Sequence, residues 1–335
     1  MLTFDQVKEF LSTPRKIVIT THHKPDGDAI GSSLALWHFL LKHHHKVNVV
    51  SPTDYPEFLH WLPGHTDVIN FEERTNKSKE LVAEAEAIFC LDFNRLNRIN
   101  ELGKEVEASK GFKFLIDHHL EPDSFPDYRL WNTKASSTAE LVYDFIVMLG
   151  GEAEIDKPIA TCLYTGLLTD TDRFRIPTTT PKVHYIAARL METGIDHTRI
   201  FEEIYETFSE NRLRFFGMCF TERMTVLKEL SAAIIAVDAD DLRKYNITTG
   251  DTEGLVNYPL QIKGIRLAII IIQRPDQVKL SFRSKGNIDV NELAKEHFEG
   301  GGHKNAAGGK SAFSVSETKD KLIAILARQK EKLNL

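Results

Sequence analysis

The stretch HHKPDGDAIG, from His22 to Gly31, decides how the N-terminal half of the chain is interpreted. It follows KIVIT (Lys16 to Thr20), a short apolar run rich in β-branched residues that predicts a buried strand. Apolar residues recur after it at helical spacing from Ile30 to Leu41, so the stretch is predicted to join a strand to a helix. Because ligands of open α/β sheets bind outside the carboxyl ends of strands, this loop is a candidate binding site.

An ordinary turn is the competing interpretation of this loop. Proline, aspartate and glycine all favour turns, and an aspartate can also cap the helix that follows. The loop alone therefore does not establish a binding site, and the decision depends on what the rest of the chain places near it.

The remainder of the N-terminal half alternates between apolar runs and polar or helical segments. The predicted strands are KVNVV (Lys46 to Val50), AIFCLDF (Ala87 to Phe93) and FKFLID (Phe112 to Asp117). This alternation predicts a parallel sheet with helices on both faces. Two helices are predicted to follow, one with a capping box formed by Ser137 and Glu140 and one that opens at Pro158.

A second group of strands predicts a separate C-terminal domain. These strands are AAIIAV (Ala232 to Val237), RLAIIII (Arg266 to Ile272) and VKLSFR (Val278 to Arg283). The expected fold class is α/β, with a parallel-sheet N-terminal metal domain, a smaller α/β C-terminal substrate-binding domain and the active site in the cleft between them. The expected boundaries are 1–190 for the metal-binding catalytic domain, 191–210 for a helical connector and 211–335 for the C-terminal domain.

Length, charge and cysteine content exclude several classes of protein. A chain of 335 residues favours two domains, and a net charge of −6 argues against wrapping of duplex DNA by general electrostatics. Cys90, Cys162 and Cys219 are too widely spaced for a zinc finger or a disulfide framework. The first residues are too polar for a signal peptide, and the longest aliphatic run, Leu267 to Ile272, is too short to span a bilayer. We therefore expect a cytoplasmic protein that does not bind membranes.

Aspartates and histidines follow the predicted strands and one apolar helix, at ends that a parallel sheet would bring together. They are His22, Asp26 and Asp28 in the first loop, Asp92 near the end of AIFCLDF, Asp117, His118 and His119 at the end of FKFLID, and Asp170 after the helix. Carboxylate and imidazole ligands without thiolates favour manganese or magnesium over structural zinc or an iron–sulfur cluster.

Several carboxylates placed close together repel one another unless cations keep them ionised. A pair of divalent ions, roughly 3.5 to 4 Å apart, meets this need, clamps the attacking and leaving oxygens of a displacement at phosphorus and lowers the pKa of a water. The predicted chemistry is metal-assisted hydrolysis of a phosphate ester or anhydride.

The C-terminal half contributes a glycine-rich segment, FEGGGHKNAAGG, from Phe298 to Gly309. At Gly301 and Gly302, next to His303, the absence of side chains lets backbone N–H groups approach an anion closely. Arg283, at the end of VKLSFR, can donate two parallel hydrogen bonds to a phosphate. A ligand-free loop and a surface arginine are the alternative interpretations of these two features.

Four segments resemble, in order, the motifs of the DHH family of phosphoesterases: HHKPDGDAIGS, CLDFN, IDHHLEP and TGLLTDT. The segment FRSKGNIDVNELAKEHFEGGGHKNAAGG resembles the associated C-terminal domain of that family, so the resemblance covers nearly the whole chain. Within the family, the chain is most similar to the compact two-domain nanoRNases. The resemblance implies a manganese enzyme that trims very short oligoribonucleotides to mononucleotides and dephosphorylates 3′-phosphoadenosine 5′-phosphate.

The resemblance also implies roles for individual residues. The implied ligands are His22, Asp26 and Asp92 for one metal and Asp28, Asp92, His118 and Asp170 for the other, with Asp92 bridging. Two divalent cations are expected, manganese ahead of magnesium or cobalt. With Asp92 and His118, His119 is an implied catalytic residue that contacts the scissile phosphate, and Arg283 and His303 are expected to bind the substrate together with Gly301 and Gly302. Asp172 departs from the glycine that the family usually has after TDT, which adds a negative charge beside the site.

Implied partners are short single-stranded RNA and small nucleotides, and the resemblance is compatible with a homodimer. A phosphodiesterase for linear or cyclic dinucleotides is a close alternative that shares every catalytic residue. A pyrophosphatase or exopolyphosphatase is less favoured, because the similar manganese pyrophosphatases lack the GGGH segment found here at Gly300 to His303. A non-catalytic nucleotide sensor is a further alternative, but a sensor is expected to have lost a metal ligand and all six positions are present.

Overall fold

The computed structural model describes residues 1–248 and 250–331. Its internal contacts divide the chain into two units, Met1–Thr207 and Phe208–Leu335. The segment 191–210, for which a helical connector is predicted, contains the helix His197–Tyr205 of the first unit. Ile200 and Ile204 of this helix are buried in the core of that unit.

The first unit is built on a six-stranded parallel sheet, which confirms the predicted architecture. Its strands are β1 (Lys16–Thr20), β2 (Lys46–Ser51), β3 (Val68–Asn70), β4 (Ala87–Leu91), β5 (Phe112–Asp117) and β6 (Tyr128–Trp131). They lie in the order β3-β2-β1-β4-β5-β6. The strand order reverses between β1 and β4, so the loops that follow these two strands diverge and leave a crevice at the carboxyl edge of the sheet.

Helices cover both faces of this sheet. They are α1 (Phe4–Phe10), α2 (Gly27–Lys42), α3 (Thr75–Glu84), α4 (Leu102–Ala108), α5 (Thr138–Leu149), α6 (Lys157–Asp170), α7 (Pro181–Glu192) and α8 (His197–Tyr205). Residues of α2, α5 and α6 pack in one apolar core and residues of α3 and α4 in another, and alternate residues of the central strands contribute to each. Both faces are therefore buried, which explains the continuous apolar runs of β1, β4 and β5.

The predicted capping box at α5 is only half formed. The Ser137 side chain accepts a hydrogen bond from the Glu140 backbone N–H, as predicted. The Glu140 carboxylate, however, accepts from the backbone N–H of Ser136 at 2.7 Å and not from that of Ser137. The prediction for α6 is confirmed, since Pro158 lies in its first turn and Asp156 caps it.

The second unit contains a six-stranded sheet of mixed strand direction. Its strands are β7 (Met224–Leu227), β8 (Ala232–Val237), β9 (Leu267–Gln273), β10 (Val278–Ser284), β11 (Gly301–His303) and β12 (Ala306–Ser311), in the order β11-β12-β10-β9-β8-β7. Among the described residues of this unit, only β8 and β9 pair in parallel. The helices are α9 (Glu210–Met218), α10 (Ala239–Lys244), α11 (Val290–His297) and α12 (Val315–Arg328). The glycine-rich segment forms the edge strand β11 and its neighbour β12 and is not a free loop.

Among the described residues, no helix is both long enough and apolar enough to cross a membrane.

Close packing of α2 on α6 fixes the positions of two acidic residues. A Cβ atom at Gly31 would lie 2.6 Å from the carbonyl oxygen of Cys162 and 3.0 Å from the backbone nitrogen of Gly166, so only glycine permits this approach. Asp28 lies in the first turn of α2 and Asp170 ends α6, and their carboxylates belong to one cluster. The glycine contact between the helices therefore contributes directly to the geometry of the site.

We expect Gly31→Ala to lower the free energy of unfolding by about 1–3 kcal/mol, because the added methyl group forces the two helices apart. Gly217→Ala is the matched control. No heavy atom lies within 4 Å of a Cβ at Gly217, which is inside α9, and alanine there should raise stability by about 0.5–1 kcal/mol. Urea unfolding of both variants and the wild type measures the difference. Equal stability of the two variants would contradict the close-packing argument.

Candidate metal centre

The structure gathers the predicted donors into three overlapping groups. The groups are His22, Asp26 and Asp92; Asp92, His118 and His119; and Asp28, His118 and Asp170. Within each group, one ligand atom from every residue lies within 4.8 Å of the others. Asp92 and His118 each belong to two groups, so the donors form one continuous cluster at the carboxyl edge of the first sheet.

Asp92 joins the two sides of this cluster. It follows β4 directly, is only 2% exposed and has a left-handed backbone with φ of 64°. Its Oδ2 atom lies 3.5 Å from His22 Nε2, and its Oδ1 atom lies 3.6 Å from His118 Nε2. The two carboxylate oxygens therefore face different histidines, which is the arrangement that a carboxylate shared between two cations requires.

The N-terminus of α5 holds the carboxylate of Asp28. The backbone N–H groups of Thr138 and Ala139 donate to Asp28 Oδ2 and Oδ1 at 2.6 and 2.8 Å. The Thr138 hydroxyl also donates to Asp92 Oδ1 at 2.8 Å. The first N–H groups of a helix have no partner within the helix and carry partial positive charge, so they stabilise a buried anion. The start of this helix is predicted from its capping residues, whereas no local pattern in the sequence indicates the role of Thr138.

Asp117 lies outside the three groups and positions His119. It is fully buried, and its Oδ1 atom lies 2.8 Å from His119 Nδ1. Because a carboxylate only accepts, this contact places the His119 proton on Nδ1 and leaves Nε2 as the other reactive nitrogen. The Trp131 indole N–H donates to the backbone carbonyl of His119 at 2.7 Å and holds the same residue from the neighbouring strand.

Burial and mutual repulsion raise the pKa values of two acidic residues, whereas nearby histidines lower that of a third. Burial, with repulsion from Asp92 and Asp170, raises the pKa of Asp28 well above its ordinary value. Burial likewise raises the pKa of Asp170 to about 7, although the nearby His118 opposes the rise. For Asp92, burial acts in the same direction, but contacts from His118 and His22 outweigh it and hold the pKa well below its ordinary value. Hence the cluster does not keep all its carboxylates ionised without added positive charge.

The histidines compensate for part of this negative charge. Burial alone would lower the pKa of His22, but Asp92 and Asp26 reverse the effect and raise it to about 9. The pKa of His118 is raised well above its ordinary value, since Asp92 and Asp170 outweigh its burial. A divalent cation can replace these protons, and imidazole nitrogen with carboxylate oxygen is a donor set that manganese and magnesium accept. The residues of the cluster therefore fit a metal centre.

Asp172 does not add unpaired negative charge near this cluster. Burial would raise its pKa, but hydrogen bonds from Arg175 and Arg173 outweigh burial and hold the pKa below the ordinary value. The Asp172 carboxylate accepts from Arg173 Nη2 and from Arg175 Nε, each at 2.9 Å. The backbone at Asp172 has φ of 45°, a conformation that glycine adopts most readily.

Two candidate substrate-binding residues of the second unit, Arg283 and His303, lie on one face of its sheet. Arg283 on β10 is opposite Ala306 on β12, which is opposite His303 on β11, so these side chains share a face. A Cβ at Gly302 would lie 2.5 Å from the carbonyl oxygen of Ala306, and the Gly302 N–H donates to Asn291. Packing thus accounts for glycine at position 302. A Cβ at Gly301 would meet no atom nearer than 3.5 Å, so packing does not require glycine there.

Two segments of the chain match known protein families. Residues 16–167 match the DHH family, N-terminal domain, and residues 230–334 match the DHHA1 domain. The chain belongs to the DHH family. Three of the four motifs that carry the resemblance lie within the first match. The fourth, TGLLTDT, begins inside this match and extends past its end, so Asp170 lies a few residues beyond it.

Relatives of this DHH protein align over most of their length. A Bacillus subtilis protein named bifunctional oligoribonuclease and PAP phosphatase NrnA is 30% identical over 92% of this chain and 93% of its own. A Thermus thermophilus protein of the same name is 31% identical over 87% and 83%. The crystal structure of an exopolyphosphatase-related protein from Bacteroides fragilis superposes with a TM-score of 0.96 at 38% identity, covering 99% of this chain and 97% of that one.

Binding of Mn²⁺ is expected to release protons at neutral pH, because His22 and Asp170 must lose protons of pKa about 9 and about 7 to act as ligands. Raised pKa values mean that protons compete more strongly as the pH falls, so the apparent affinity should increase with pH between about 6 and 9. Calorimetric titrations in two buffers of different ionisation enthalpy count the released protons. An affinity independent of pH, with no proton release, would contradict these charge states.

Proposed function

We propose that the protein is a divalent-metal-dependent phosphoesterase that hydrolyses short oligoribonucleotides to mononucleotides and 3′-phosphoadenosine 5′-phosphate to AMP. The observation that carries this proposal is the position of Asp92, a buried carboxylate whose two oxygens face separate groups of donors. The names of the Bacillus and Thermus relatives support the choice of substrates, since both relatives align over most of their length.

The proposed ligands follow the groups of the cluster. They are His22, Asp26 and Asp92 for one cation and Asp28, Asp92, His118 and Asp170 for the other. Manganese is proposed as the bound ion, with magnesium or cobalt as alternatives. When bound, such a pair supplies activation of a water molecule and neutralises charge that develops on the phosphate.

Other residues of this chain are proposed to contact the phosphate, orient the ligands and bind the substrate. His119, held through Nδ1 by Asp117, presents Nε2 toward the scissile phosphate in the proposed mechanism. Thr138 fixes the orientation of Asp92, and the start of α5 fixes that of Asp28, so neither carboxylate has to reorganise when the substrate arrives. In the second unit, Arg283, His303 and the backbone of Gly301 and Gly302 are proposed to bind a phosphate or nucleotide of the substrate.

The substrates are proposed to be short single strands and small nucleotides. Processive degradation of long strands requires an extended basic groove, and a chain with a net charge of −6 is not expected to provide one. The same charge argues against duplex DNA as a substrate.

Replacing Asp92 with alanine should abolish turnover, because both proposed cations lose a ligand. We expect activity to fall by more than the roughly 100-fold that is typical when a residue that hydrogen-bonds to a metal ligand is removed. Asp67→Ala, at an exposed aspartate of the same unit, is the control and should keep full activity. Initial rates with Mn²⁺ are measured on an RNA dinucleotide, 3′-phosphoadenosine 5′-phosphate, a cyclic dinucleotide, a long RNA and pyrophosphate. Substantial activity of Asp92→Ala would refute the shared-ligand assignment, and a preference for pyrophosphate or long RNA would refute the proposed substrates.

Replacing Arg283 with alanine should act on binding. Loss of a charge-assisted hydrogen bond to phosphate is worth about 1.5–3 kcal/mol, so KM should rise at least tenfold while kcat changes little. Arg283→Lys should recover only part of the loss, because lysine keeps the charge but not the paired donors. If KM is unchanged for both the dinucleotide and 3′-phosphoadenosine 5′-phosphate, Arg283 does not bind substrate.

A further inference from the structure

One face of the second sheet is only half covered. Side chains of β8 and β9, including Ile270 and Ile272, are buried on this face beneath α9 and the turn of helix at Leu255–Gln261. The next strand, β10, presents Lys279, Ser281 and Arg283 on the same face, and all three are at least partly exposed. This part of the face is therefore polar and accessible within the second unit.

A pocket lies where the covered part of this face meets the open part. Its apolar wall includes Ile270 and Ile272. Its ionisable lining residues are Arg274, Lys279, Arg283 and Glu253, so three cations and one carboxylate give it a net charge of +2. The whole chain carries −6, so this concentration of positive charge is local and favours an anionic ligand.

Arginines also hold the segment that closes one side of the pocket. Arg274 Nη2 donates to the Thr252 hydroxyl at 3.1 Å, and burial lowers the pKa of this guanidinium because its charge is partly desolvated. Arg212 is only 8% exposed, and its Nη2 donates to the Glu253 carbonyl oxygen at 2.8 Å. Arg212 therefore positions Glu253 but does not itself line the pocket. Desolvating a guanidinium is costly unless an anion compensates it, so Arg274, which does line the pocket, favours an anion there.

The strand register places like charges beside each other as well. Lys279 on β10 is directly opposite Lys310 on β12, and like charges at such positions destabilise a sheet. Lys310 also forms a salt bridge with Glu299, which moderates the repulsion between Lys279 and Lys310. Lys279 and Arg274 both line the pocket, so Lys279 adds positive charge there at a position where that charge does not stabilise the sheet.

We propose that Lys279 and Arg274 bind the phosphate group of the substrate that is not hydrolysed. The inference rests on the proposed function, in which Arg283 contacts the substrate. Lys279 and Arg283 are four residues apart on one face of β10, so their Cα atoms are about 13 Å apart. A substrate with phosphates on both sides of a nucleoside can then meet both residues through their long side chains. The pocket distinguishes nucleotides with a 5′-phosphate from those that end in a 5′-hydroxyl.

The test compares two substrates that differ in one group. An RNA dinucleotide with a 5′-phosphate and the same dinucleotide with a 5′-hydroxyl are hydrolysed by the wild type and by the variants Lys279→Ala, Lys279→Gln and Arg274→Ala. Lys228→Ala, at an exposed lysine elsewhere in the unit, is the control. We expect the wild type to favour the phosphorylated substrate at least tenfold in kcat/KM, the scale of one charge-assisted hydrogen bond. The three variants should lose this preference through KM, with the 5′-hydroxyl substrate changed less than about twofold.

Two results would overturn the inference: no preference in the wild type, or an equal loss for both substrates in the variants. If the wild type hydrolyses neither substrate, the proposed function fails, and calorimetry decides the pocket separately. Tighter binding of adenosine 3′,5′-bisphosphate than of adenosine 3′-monophosphate, dependent on Lys279, supports the pocket. Equal binding of the two nucleotides refutes it.

Discussion

The first unit is organised around three carboxylates that repel one another. Asp28, Asp92 and Asp170 come from three different elements and meet in one largely buried cluster. Burial and this repulsion raise the pKa values of Asp28 and Asp170, so the arrangement opposes folding unless positive charge offsets it. Proteins keep such arrangements where they serve chemistry, and the structure shows several features that offset the cost.

Each of these features is supplied by the ends of secondary-structure elements. The start of α5 donates two backbone N–H groups to Asp28, and the histidines after β1 and β5 face the two oxygens of Asp92. Asp92 itself has a left-handed backbone, which costs about 1–2 kcal/mol for a residue other than glycine. The crevice between β1 and β4 provides the space in which these ends converge, so the strand order determines where the site can lie.

The central strands, and the candidate donor residues that the structure brings together, could be predicted from the sequence for a physical reason. Buried parallel strands such as β4 and β5 are continuous apolar runs, and their carboxyl ends must share one edge of the sheet. The short strands β3 and β6 lie at the sheet edges, and β11 and β12 are rich in glycine, so none of them has a comparable signal. The capping box at Ser137 was only half right, because Glu140 bonds to Ser136.

Roles that depend on contacts between distant elements could not be predicted from local patterns. Thr138 reaches Asp28 across 110 residues of sequence, and nothing in the segment around Thr138 indicates what its N–H group will face. The same holds for Asp117, which ends β5 beside the donors yet directs its carboxylate to His119. Asp172 was expected to add charge, but two arginines that follow within three residues, where the backbone is left-handed, donate hydrogen bonds to its carboxylate.

The two units differ in the sign of the charge that they present, and this difference bears on substrate recognition. The cluster of the first unit consists of carboxylates and imidazoles, and carboxylates repel a phosphate until cations intervene. In the proposed function, cations on that unit would bind the reacting phosphate but would not distinguish one nucleotide from another by its remaining phosphates. On the second unit, Lys279 and Arg283 occupy fixed positions along one strand, and a strand holds its side chains at constant spacing. Strand β10 can therefore distinguish phosphorylated substrates by the number and spacing of their phosphates. The metal centre cannot.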